Sequence, residues 1–472
     1  MAGSNRKAAV ELVEGAELDL DEPFAPAEEL PKRSWRDVVR RGWPLALVAV
    51  VVAGAFTVAQ ARESSRVDAR LEAMRPQFGY IEGLGPEMGV LWSVDLAPRE
   101  YFGGSTEELM FVSHEDGGLR VIDLASGDER WHVAAEPDRM TYCWGSDEPA
   151  GGTTHVLCER YGYSSLEEPV DFEDREIERR DAMTGEVIEV RDPNGQLSLE
   201  WWGPDVLVLA EVDGALELRR EAFDGEARWR VPVTGTADGT AAAWVDPVAD
   251  VAVVRTDRHL VVDGDGQVVL DVPVREDVAA AAAAGLVNEW LSPQRGGSFV
   301  LSRYVDDVES VEVYDSQGER SFSTVGYVAT PMVDDQVVPG LVVVHPPWGL
   351  AVWDSTTGKA AVELDGAPND GTMLLHGALI YQREGELRAV DVRTGEERWH
   401  AQLEQSELLG SDGDVVLFLS YEGDPELFAF SARTGALVWT YPLPSASAFP
   451  MVYAGALMLQ DGQTLVRLGT GQ

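Results

Sequence analysis

Two cysteines carry the clearest covalent chemistry in this sequence, Cys143 in RMTYCWG and Cys158 in THVLCERYG. The two segments are predicted to be consecutive strands separated by the Gly- and Pro-containing loop SDEPAGG, so the two sulfur atoms would lie nearly opposite each other. Outside the cytoplasm such a pair forms a disulfide by default, and two separate buried thiols are the alternative. Because the chain has only 2 cysteines, a disulfide framework and a four-thiolate zinc or iron–sulfur site are excluded.

Clustered carboxylates offer a second kind of chemistry, the binding of a hard cation such as calcium. Asp263 and Asp265 in the segment DGDG are weak metal candidates, and the acidic segment 167–178 is another. Calcium needs about six to eight oxygen ligands in one place, whereas DGDG supplies two carboxylates and coincides with a predicted turn. We therefore predict a turn here, no built metal site, and at most weak divalent binding by the acidic surface.

The remaining residue types give no sign of a catalytic centre. The 7 histidines show no zinc-protease spacing, and the sequence has no G-x-S-x-G, Walker or Rossmann pattern. We identify no catalytic or cofactor-binding residue, and the sequence leans against an enzyme. A Ser–His–Asp triad assembled from distant segments stays open, because such triads are not local in sequence.

The net charge restricts the class of partner. The 472 residues include 82 acidic and 37 basic side chains, which gives a formal net charge of −45. A surface this acidic repels phosphate backbones, so we predict no nucleic-acid binding. Hydrophobic residues make up 45% of the chain, which excludes a disordered protein. The acidity favours a basic partner or a cation-rich setting, although acidic surfaces also arise for solubility alone.

One segment is apolar enough to cross a membrane. Residues 42–61 (GWPLALVAVVVAGAFTVAQA) contain no charged side chain, and a helix of this length spans roughly 30 Å. Five basic residues before it and four after it give a weak bias towards a cytoplasmic N-terminus. We predict an uncleaved single-pass anchor in the cell membrane. A signal peptide cleaved after Ala61 and a twin-arginine signal at Arg40 and Arg41 are the alternatives.

The anchor separates regions of different character. Residues 1–41 lack helical or strand periodicity and are predicted to be a disordered cytoplasmic tail. Residues 62–88 are predicted to be a stalk and linker, beginning with a short helix that Pro76 ends. Residues 89–472 change to short β runs punctuated by turns, so we predict one all-β domain outside the cytoplasm.

Internal repetition dominates the predicted all-β domain. Eight segments share one form, in which alternating apolar residues lead to a turn that ends in glycine and then to another strand. The clearest copies are LRVIDLASGDERWHV from Leu119 and LRAVDVRTGEERWHAQL from Leu387, whereas the copies from Leu260 and Val311 are weaker. Glycine is favoured at the positive φ of a tight hairpin turn, which explains its recurrence.

The register of the copies holds beyond the turn. Four residues past the turn glycine, seven of the eight copies have a large apolar residue, as a strand needs when its inner face packs on a neighbouring sheet. Aspartates before the turn are predicted to accept hydrogen bonds from turn N–H groups. The tryptophans at this structural position are Trp131, Trp229, Trp399 and Trp439.

The two ends of the repeat region complement each other. The chain stops just after a turn glycine, Gly471, where a tryptophan-bearing strand should follow, and the first β run carries Trp92. We predict that residues 90–96 pair with residues 464–468, around Leu465, and close a β-propeller. Eight internal turns plus the closing one would give nine blades. Since a weak copy could be absorbed into a neighbour, we predict about eight blades, within a range of about seven to nine.

The segments LRAVDVRTGEERW and LRVIDLASGDERW resemble the PQQ-like repeat, a propeller family named for quinoprotein dehydrogenases. The family also includes non-enzymatic envelope proteins, such as the propeller lipoprotein of outer-membrane protein assembly. The resemblance covers residues 89–472 and implies fold rather than function. In the dehydrogenases the quinone is sandwiched between a tryptophan and a ring of adjacent cysteines. Because this sequence has no adjacent cysteine pair, we expect no PQQ cofactor and favour a non-enzymatic, membrane-anchored branch.

These features predict a binding or scaffold module for a protein or cell-envelope ligand, held outside the cytoplasm by one helix. Such a module should expose a broad apolar or aromatic patch. An envelope enzyme with a site in the propeller channel is the first alternative, and it should show polar residues with shifted pKa values at one channel mouth. A sensor coupled to the cytoplasmic tail is the second.

Overall fold

The computed structural model describes residue 67 and residues 69–136, 139–145, 154–162, 171–193, 196–235, 241–246, 249–274, 288–294, 296–305, 308–366, 371–403 and 406–471. Residues 69–74 are helical, as predicted for the start of the stalk, and the described chain from Met88 onwards consists of strands and turns.

The described residues contain 37 strands, most of them five to eight residues long. In chain order they are β1 (Met88–Asp95), β2 (Glu100–Ser105), β3 (Leu109–His114), β4 (Leu119–Asp123), β5 (Glu129–Val133), β6 (Arg139–Gly145), β7 (His155–Gly162), β8 (Asp171–Asp181), β9 (Val187–Arg191), β10 (Gln196–Trp202), β11 (Asp205–Val212), β12 (Ala215–Glu221), β13 (Ala227–Val233), β14 (Ala242–Asp246), β15 (Val251–Arg255), β16 (Arg258–Asp263), β17 (Val268–Pro273), β18 (Asn288–Pro293), β19 (Phe299–Val305), β20 (Val308–Tyr314), β21 (Arg320–Val325), β22 (Tyr327–Val328), β23 (Val333–Asp334), β24 (Leu341–His345), β25 (Gly349–Asp354), β26 (Lys359–Asp365), β27 (Thr372–Leu375), β28 (Ala378–Arg383), β29 (Glu386–Asp391), β30 (Glu397–Gln402), β31 (Ser406–Ser411), β32 (Val415–Ser420), β33 (Glu426–Ser431), β34 (Leu437–Pro442), β35 (Phe449–Tyr453), β36 (Ala456–Asp461) and β37 (Thr464–Thr470).

The strands form nine sheets, called blades here and numbered from the N-terminus. Blades 1 to 5 each take four consecutive strands, from β2–β5 to β18–β21. Blade 6 contains β22, β24, β25 and β26, and blade 7 contains β27–β30. The two-residue strand β23 pairs in parallel with β27. Blade 8 is β31–β34, and blade 9 combines β35–β37 with β1.

The hydrophobic core lies between the blades. Nine clusters of buried side chains are present, and each joins one blade to the next. Phe111 of blade 1 packs with Val156 of blade 2, for example, and Met458 of blade 9 packs with Met110 of blade 1. Because the succession returns from blade 9 to blade 1, the ring is closed and each blade is covered on both faces.

The burial of each strand follows from its place in the blade. Second strands such as β3 (LMFVSH) are buried along almost their whole length, because blades cover both of their faces. Outermost strands such as β5 (ERWHV) bury one residue in the centre and expose their ends. The apolar residue predicted four positions past the turn glycine is that buried residue, here Trp131.

The predicted ring closure is confirmed. Strand β1 pairs antiparallel with β37, and the register places Val94 opposite Leu465 and Asp95 opposite Thr464. A register shift lies between Val90 and Trp92, and an equivalent shift occurs between the third and fourth strands of the other eight blades. Strand β1 therefore pairs in blade 9 as the fourth strand does in the blades whose four strands are consecutive in sequence.

The blade number lies at the upper end of the predicted range. We expected about eight blades because a weak copy could be absorbed, but the copies from Leu260 and Val311 each belong to a complete four-stranded sheet. Their turn glycines, Gly266 and Gly318, have positive φ values of 83° and 76°, as in the strong copies. Their turns are one residue shorter than those of the copies from Leu119 and Leu387, because Gly266 and Gly318 donate to carbonyls three positions back rather than four. The four-stranded sheets form despite these shorter turns.

The membrane helix predicted for residues 42–61 lies outside the described residues, as does the tail 1–41. Within the described part of the chain, no helix is both long and apolar enough to span a bilayer.

Candidate functional site

The ring has two faces that differ in their connections. First strands of neighbouring blades contact each other, as in β2 with β6 and β10 with β14, so these strands lie at the inner edge of the ring. We call the end where the inner strands begin the upper face. In an antiparallel blade, the connection between the second and third strands lies on the same face. The other two hairpin turns lie at the opposite end, the lower face.

The repeat tryptophans are structural and lie near the lower face. Four of the five predicted tryptophans donate their indole N–H to a backbone carbonyl in the next blade, at 2.9 to 3.1 Å. A turn glycine covers the ring: a Cβ at Gly185, whose φ is 71°, would lie 2.5 Å from the Trp131 indole. The pairs are Trp92–Leu124, Trp131–Ala182, Trp229–Gly264 and Trp399–Ala432.

Trp439 is the exception among these five. It is as buried as Trp399, at 8% exposure, yet its indole nitrogen has no hydrogen-bond partner among the described residues. It packs against blade 9, in which the third and fourth strands belong to opposite ends of the chain. In the other pairs the carbonyl belongs to the turn between the third and fourth strands of the next blade. Blade 9 has no such turn, because its third strand is β37 and its fourth is β1.

The two cysteines form the predicted disulfide. Cys143 of the inner strand β6 lies directly opposite Cys158 of β7, with the Cα atoms 4.0 Å apart. Both side chains are buried in the cluster between blades 1 and 2. The bridge joins the first and second strands of blade 2.

In the acidic segment 167–178 considered for metal binding, residues 171–178 lie in strand β8 and residues 167–170 lie outside the described residues. The carboxylates of DGDG belong to a turn. The Asp263 carboxylate accepts hydrogen bonds from the backbone N–H groups of Asp265 and Gln267 at 3.0 and 2.8 Å. Asp123 and Asp391 hold equivalent turns, where they accept from the N–H groups of Ser126 and Thr394. In the described residues, no group of three or more His, Cys, Asp or Glu side chains could hold a metal ion.

Residues 74–82 and 332–335, which we call the plug, occupy the inner edge of blades 7 to 9. Strand β23 pairs with the free side of β27, so it lies on the channel side of blade 7. Ile81 donates its N–H to the Ser411 carbonyl at 2.9 Å, and Glu82 donates to Gly455 at 2.7 Å. The two parts of the plug also bond to each other, since Gln77 donates its side-chain amide to the Asp334 carbonyl at 2.7 Å.

The plug is apolar and closely packed. Met74, Tyr80, Ile81 and Val333 are 0 to 4% exposed and join the clusters of blades 7 to 9. A Cβ at Gly410 would lie 2.3 Å from the carbonyl oxygen of Gly79, so glycine is required for this approach. Residues 74–82 lie in the segment 62–88 predicted as stalk and linker. In the structure Met74, Gly79, Tyr80 and Ile81 are buried against the ring, whereas residues 75, 76, 78 and 82 are exposed.

Arg70 joins the helical residues 69–74 to the ring through an ion pair and a hydrogen bond. Its Nε lies 3.1 Å from the Asp335 carboxylate, and its Nη2 donates to the Gly413 carbonyl at 2.6 Å. The same nitrogen lies 3.2 Å from Nε2 of His376. Burial lowers the pKa of His376, and the cations Arg70 and Arg433 lower it further against the opposing effects of two carboxylates. Nε2 of His376 also lies 3.2 Å from the Asp414 carboxylate, so this ring nitrogen contacts both a cation and an anion.

A small cleft separates the plug from blades 4 to 6 on the lower face. It encloses about 210 Å³ and is lined by residues that include Gln77, Phe78, Gln294 and Met332. This volume is below the roughly 300–1,000 Å³ of ordinary small-molecule sites. The cleft is therefore a gap beside the plug rather than a developed ligand pocket.

The upper half of the ring exposes aromatic side chains instead. Seven aromatic residues from six blades are between 37% and 55% exposed, and we call them the aromatic rim. Five lie on inner strands, and two lie in connections between second and third strands. The rim residues are Tyr101, Tyr142, Trp290, Tyr327, Trp348, Tyr421 and Phe449.

Exposed aromatic and aliphatic side chains are segregated. Among residues from Met88 onwards whose burial is described, every aromatic side chain that is largely exposed belongs to the rim. Exposed aliphatic side chains lie mainly on outermost strands, such as Val190 on β9, Val268 on β17 and Leu437 on β34. Aromatic residues are enriched at protein interfaces, so their concentration around the channel marks a candidate binding surface.

Carboxylates accompany several rim tyrosines. Glu407 accepts a hydrogen bond from the Tyr421 hydroxyl at 2.9 Å. Glu159 lies directly opposite Tyr142 in the pairing of β6 with β7. Burial raises the pKa of Tyr327, and the neighbouring charge of Glu309 raises it further. The candidate surface is thus both aromatic and acidic.

A polar group near the inner strands of blades 2 and 3 resembles what the enzyme alternative predicted. Glu159 forms an ion pair with Arg175. Burial raises the pKa of Glu200 on β10, an effect that Arg175 opposes and Glu159 reinforces. Glu200 can therefore hold a proton at higher pH than an ordinary glutamate.

Blades 4 and 5 are joined by a buried ionic network next to the rim. Glu289, the neighbour of Trp290 in β18, accepts a hydrogen bond from Nε of Arg303 at 2.9 Å. Nε2 of His259 lies 3.5 Å from the same carboxylate, and Arg303 also pairs with Glu312 at 2.6 Å. His259, Glu289 and Arg303 are 0 to 4% exposed. The network fixes the strand that presents Trp290.

Sequence reasoning missed the rim and the plug. The rim residues come from six blades and share no motif, so only the closed ring brings them together. One signal was available: Tyr101, Tyr327 and Phe449 each stand at or near the start of an inner strand. The plug had a weaker signal, the apolar pair Tyr80–Ile81 in a segment otherwise rich in Gly and Pro.

Comparisons with known proteins support the repeat. Residues 383–471, about a fifth of the chain, match the family described as outer membrane protein assembly factor BamB. This match supports the predicted PQQ-like repeat. The comparison with curated proteins finds no match.

Solved propellers are similar at low identity. The structure of BamB from Moraxella catarrhalis is 14% identical, with 81% of this chain and 97% of that chain covered and a TM-score of 0.37. Quinohemoprotein alcohol dehydrogenase from Comamonas testosteroni is 12% identical, with coverages of 82% and 77% and a TM-score of 0.38. These similarities assign no activity. The chain is an all-β, nine-bladed propeller with C-terminal blades similar to the BamB family of PQQ-like repeats.

Proposed function

We propose that this protein is a membrane-anchored scaffold that binds a protein partner outside the cytoplasm through the aromatic rim. The rim is the observation that carries the proposal, because seven exposed aromatic side chains lie on inner strands or upper-face connections of six blades. Aromatic side chains offer large contact areas with little conformational freedom to lose, which suits a binding surface. The enzyme alternative would need catalytic groups at the same mouth.

The proposed location rests on two features. The uncharged segment 42–61 is long enough for a membrane anchor, with the ring on its C-terminal side. The Cys143–Cys158 disulfide is typical of a compartment that is oxidising. A cysteine introduced at the exposed position Leu437 should therefore be labelled by a membrane-impermeant maleimide in intact cells, whereas labelling only after cell lysis would contradict this location.

The family match gives independent support for a scaffold. Its description names an assembly factor, and it covers blade 8, most of blade 9 and the end of blade 7. Fold similarity alone does not transfer function, so the proposal depends on the rim rather than on the match.

Photo-crosslinking in native membranes tests the proposal. A photoreactive amino acid is placed at Trp348 or Phe449 in the rim, and at Val190 or Leu437 on outermost strands as matched exposed controls. We expect discrete protein crosslinks from the rim positions only. Equal crosslinking from the outermost strands, or none from the rim, would refute binding through this surface.

An enzyme with a channel site remains the second candidate because of one observation, the raised pKa of Glu200 near an ion pair. Carboxyl groups with raised pKa values are typical of general acids and bases. If the protein has such an activity, Glu200→Gln should abolish it while leaving the rim crosslinks unchanged.

A further inference from the structure

The rim tyrosines and their carboxylates together identify the chemistry of the partner. Glu407 and Glu309 accompany Tyr421 and Tyr327, and neither carboxylate has an ion-pair partner among the described residues. Glu159, beside Tyr142, is already paired with Arg175. The blade 5, 6 and 8 side of the upper face therefore has negative charge available next to exposed aromatic rings.

A ring face next to an unpaired carboxylate suits a cationic side chain. The negative face of a tyrosine ring attracts Lys and Arg, and a nearby carboxylate adds a charge-assisted hydrogen bond. One ring face of Tyr327 stacks on His345, with the ring centroids 4.7 Å apart. Tyr327 is nevertheless 42% exposed and Tyr421 is 48% exposed, so a side chain from outside can reach their exposed sides. The net charge of −45 would also steer a basic partner towards the protein and hold off an acidic one.

The inner edge of the ring favours an extended segment. Residues 79–82 and β23 already lie there as extended chain, bonded to blades 7 to 9 through backbone groups. In the described chain, no such segment covers the inner edges of blade 5 or blade 6. Among the described residues, the same kind of edge that accepts the plug is thus unpaired where Trp290 and Tyr327 are exposed.

We propose that the partner inserts an extended, Lys- or Arg-bearing segment into the upper mouth, with cationic side chains between the rim tyrosines and the carboxylates Glu309 and Glu407. This inference rests on the proposed function, because it names the chemistry of the partner at the same rim. It extends that function from a general protein-binding surface to one that recognises positively charged side chains.

The probe is a short peptide of alternating lysine and serine, compared with the same peptide carrying acetylated lysines. Binding to the full-length protein in detergent is measured by fluorescence anisotropy at near-physiological salt. We expect the lysine peptide to bind and acetylation to abolish binding. The double variant Glu309→Gln, Glu407→Gln should weaken binding by about tenfold.

A matched charge control separates the site from the general acidity. The double variant Glu186→Gln, Glu396→Gln removes two exposed carboxylates from turns on the lower face and should change affinity by less than about twofold. Equal losses from both double variants would show binding to diffuse charge and overturn the inference, as would equal binding of the acetylated peptide.

The photo-crosslinks distinguish the two proposals. If rim crosslinks form but the lysine peptide does not bind, the partner is not basic and only this inference fails. If rim crosslinks are absent while the peptide binds and depends on Glu309 and Glu407, the site recognises cations but the scaffold function is wrong.

Discussion

The repeat tryptophans near the lower face and the rim aromatics of the upper face differ in their burial and hydrogen bonding. Near the lower face, Trp131 is 7% exposed, covered by a turn glycine and hydrogen-bonded to a carbonyl of the next blade. On the upper half, Trp290 is 37% exposed. The repeat conserves the first arrangement from blade to blade, whereas the second varies. Stability is therefore concentrated in the repeated turns, which leaves the upper mouth available for binding.

The acidic side chains differ between the repeated outer turns and the inner strand β10, and this difference does not separate the two faces. Hydrogen bonds from Arg398 and from turn N–H groups lower the pKa of Asp391 to about 2. Hydrogen bonds within the turn also lower the pKa of Asp181. In contrast, burial raises the pKa of Glu200 on an inner strand. Turn aspartates have their partners within the fold, while Glu200 lacks enough of them to offset its burial.

Replacing matched tryptophans should give the largest difference between the faces. Trp131→Ala opens a cavity under the blade 2 turn and should lower the free energy of unfolding by about 3–5 kcal/mol. Trp290→Ala should cost less, about 1–3 kcal/mol, because 37% of that residue is already exposed to solvent. Chemical denaturation of the full-length protein measures both. Similar losses would mean that the rim supports the fold as much as the turns do.

The plug offers a second matched pair within one short segment. Ile81 is fully buried, so Ile81→Ala should cost about 2–4 kcal/mol and expose the inner edges of blades 8 and 9. Phe78 is 72% exposed, and Phe78→Ala should cost less than about 0.5 kcal/mol. Denaturation with limited proteolysis around residue 80 reports both effects. A stable, protease-resistant Ile81→Ala variant would show that the plug is dispensable.

The tryptophan hydrogen bond can be tested apart from its packing. Trp399→Phe removes the donor to the Ala432 carbonyl and should cost about 1 kcal/mol more than Trp439→Phe, since Trp439 has no partner for its indole nitrogen among the described residues. The two side chains are equally buried, at 8%. Equal losses in denaturation would mean that packing alone holds the lower face together.

The smallest effect should be a pH dependence of the plug. The pKa of His376 is lowered in the folded protein. The contribution of neutral His376 to the stability of the plug is therefore complete above the pKa of the unfolded state, about 6.5, and is lost as pH falls below that value. The groups that face His376 are Arg70, Arg433, Asp335 and Asp414. Hydrogen-exchange protection of Ile81 and Glu82 should therefore decrease from about pH 7.5 to about pH 5.5.

His376→Gln should remove most of this pH dependence. His345→Asn is the control, because burial also lowers the pKa of His345 but that residue lies in blade 6, away from the Arg70 contacts. If His345→Asn removes the pH dependence and His376→Gln does not, protonation of His376 beside Arg70 does not control the stability of the plug.

Much of the ring could be predicted because its determinants are local. The turn glycine, the aspartate before it and the apolar residue after it specify each outer hairpin, and eight copies are enough to indicate a propeller. The missing strand at the C-terminus and the surplus strand with Trp92 predicted the closure that pairs β1 with β37. The blade number was less certain, because the copies from Leu260 and Val311 match the repeat more weakly.

The disulfide was also within reach of the sequence, since two strands joined by one loop place Cys143 opposite Cys158. The candidate site was not. Glu309 precedes Tyr327 by eighteen positions in the chain, and Glu407 precedes Tyr421 by fourteen, with strands and turns between them. Neither spacing corresponds to a helical or strand period, so no local pattern could join these pairs.

The sequence alone determined the repeating hairpin and the acidic character of the surface, because these depend on residues close in the chain or on composition. It also indicated the closure of the ring, because the repeat lacks its last strand at one end and has a surplus strand at the other. Only the tertiary structure decided that the ring has nine blades, that Tyr80 and Ile81 are buried against it, and that seven exposed aromatic side chains lie on inner strands or upper-face connections of six blades. Those features depend on contacts between blades far apart in sequence. Ring closure brings such residues together, and local sequence propensities do not predict these contacts.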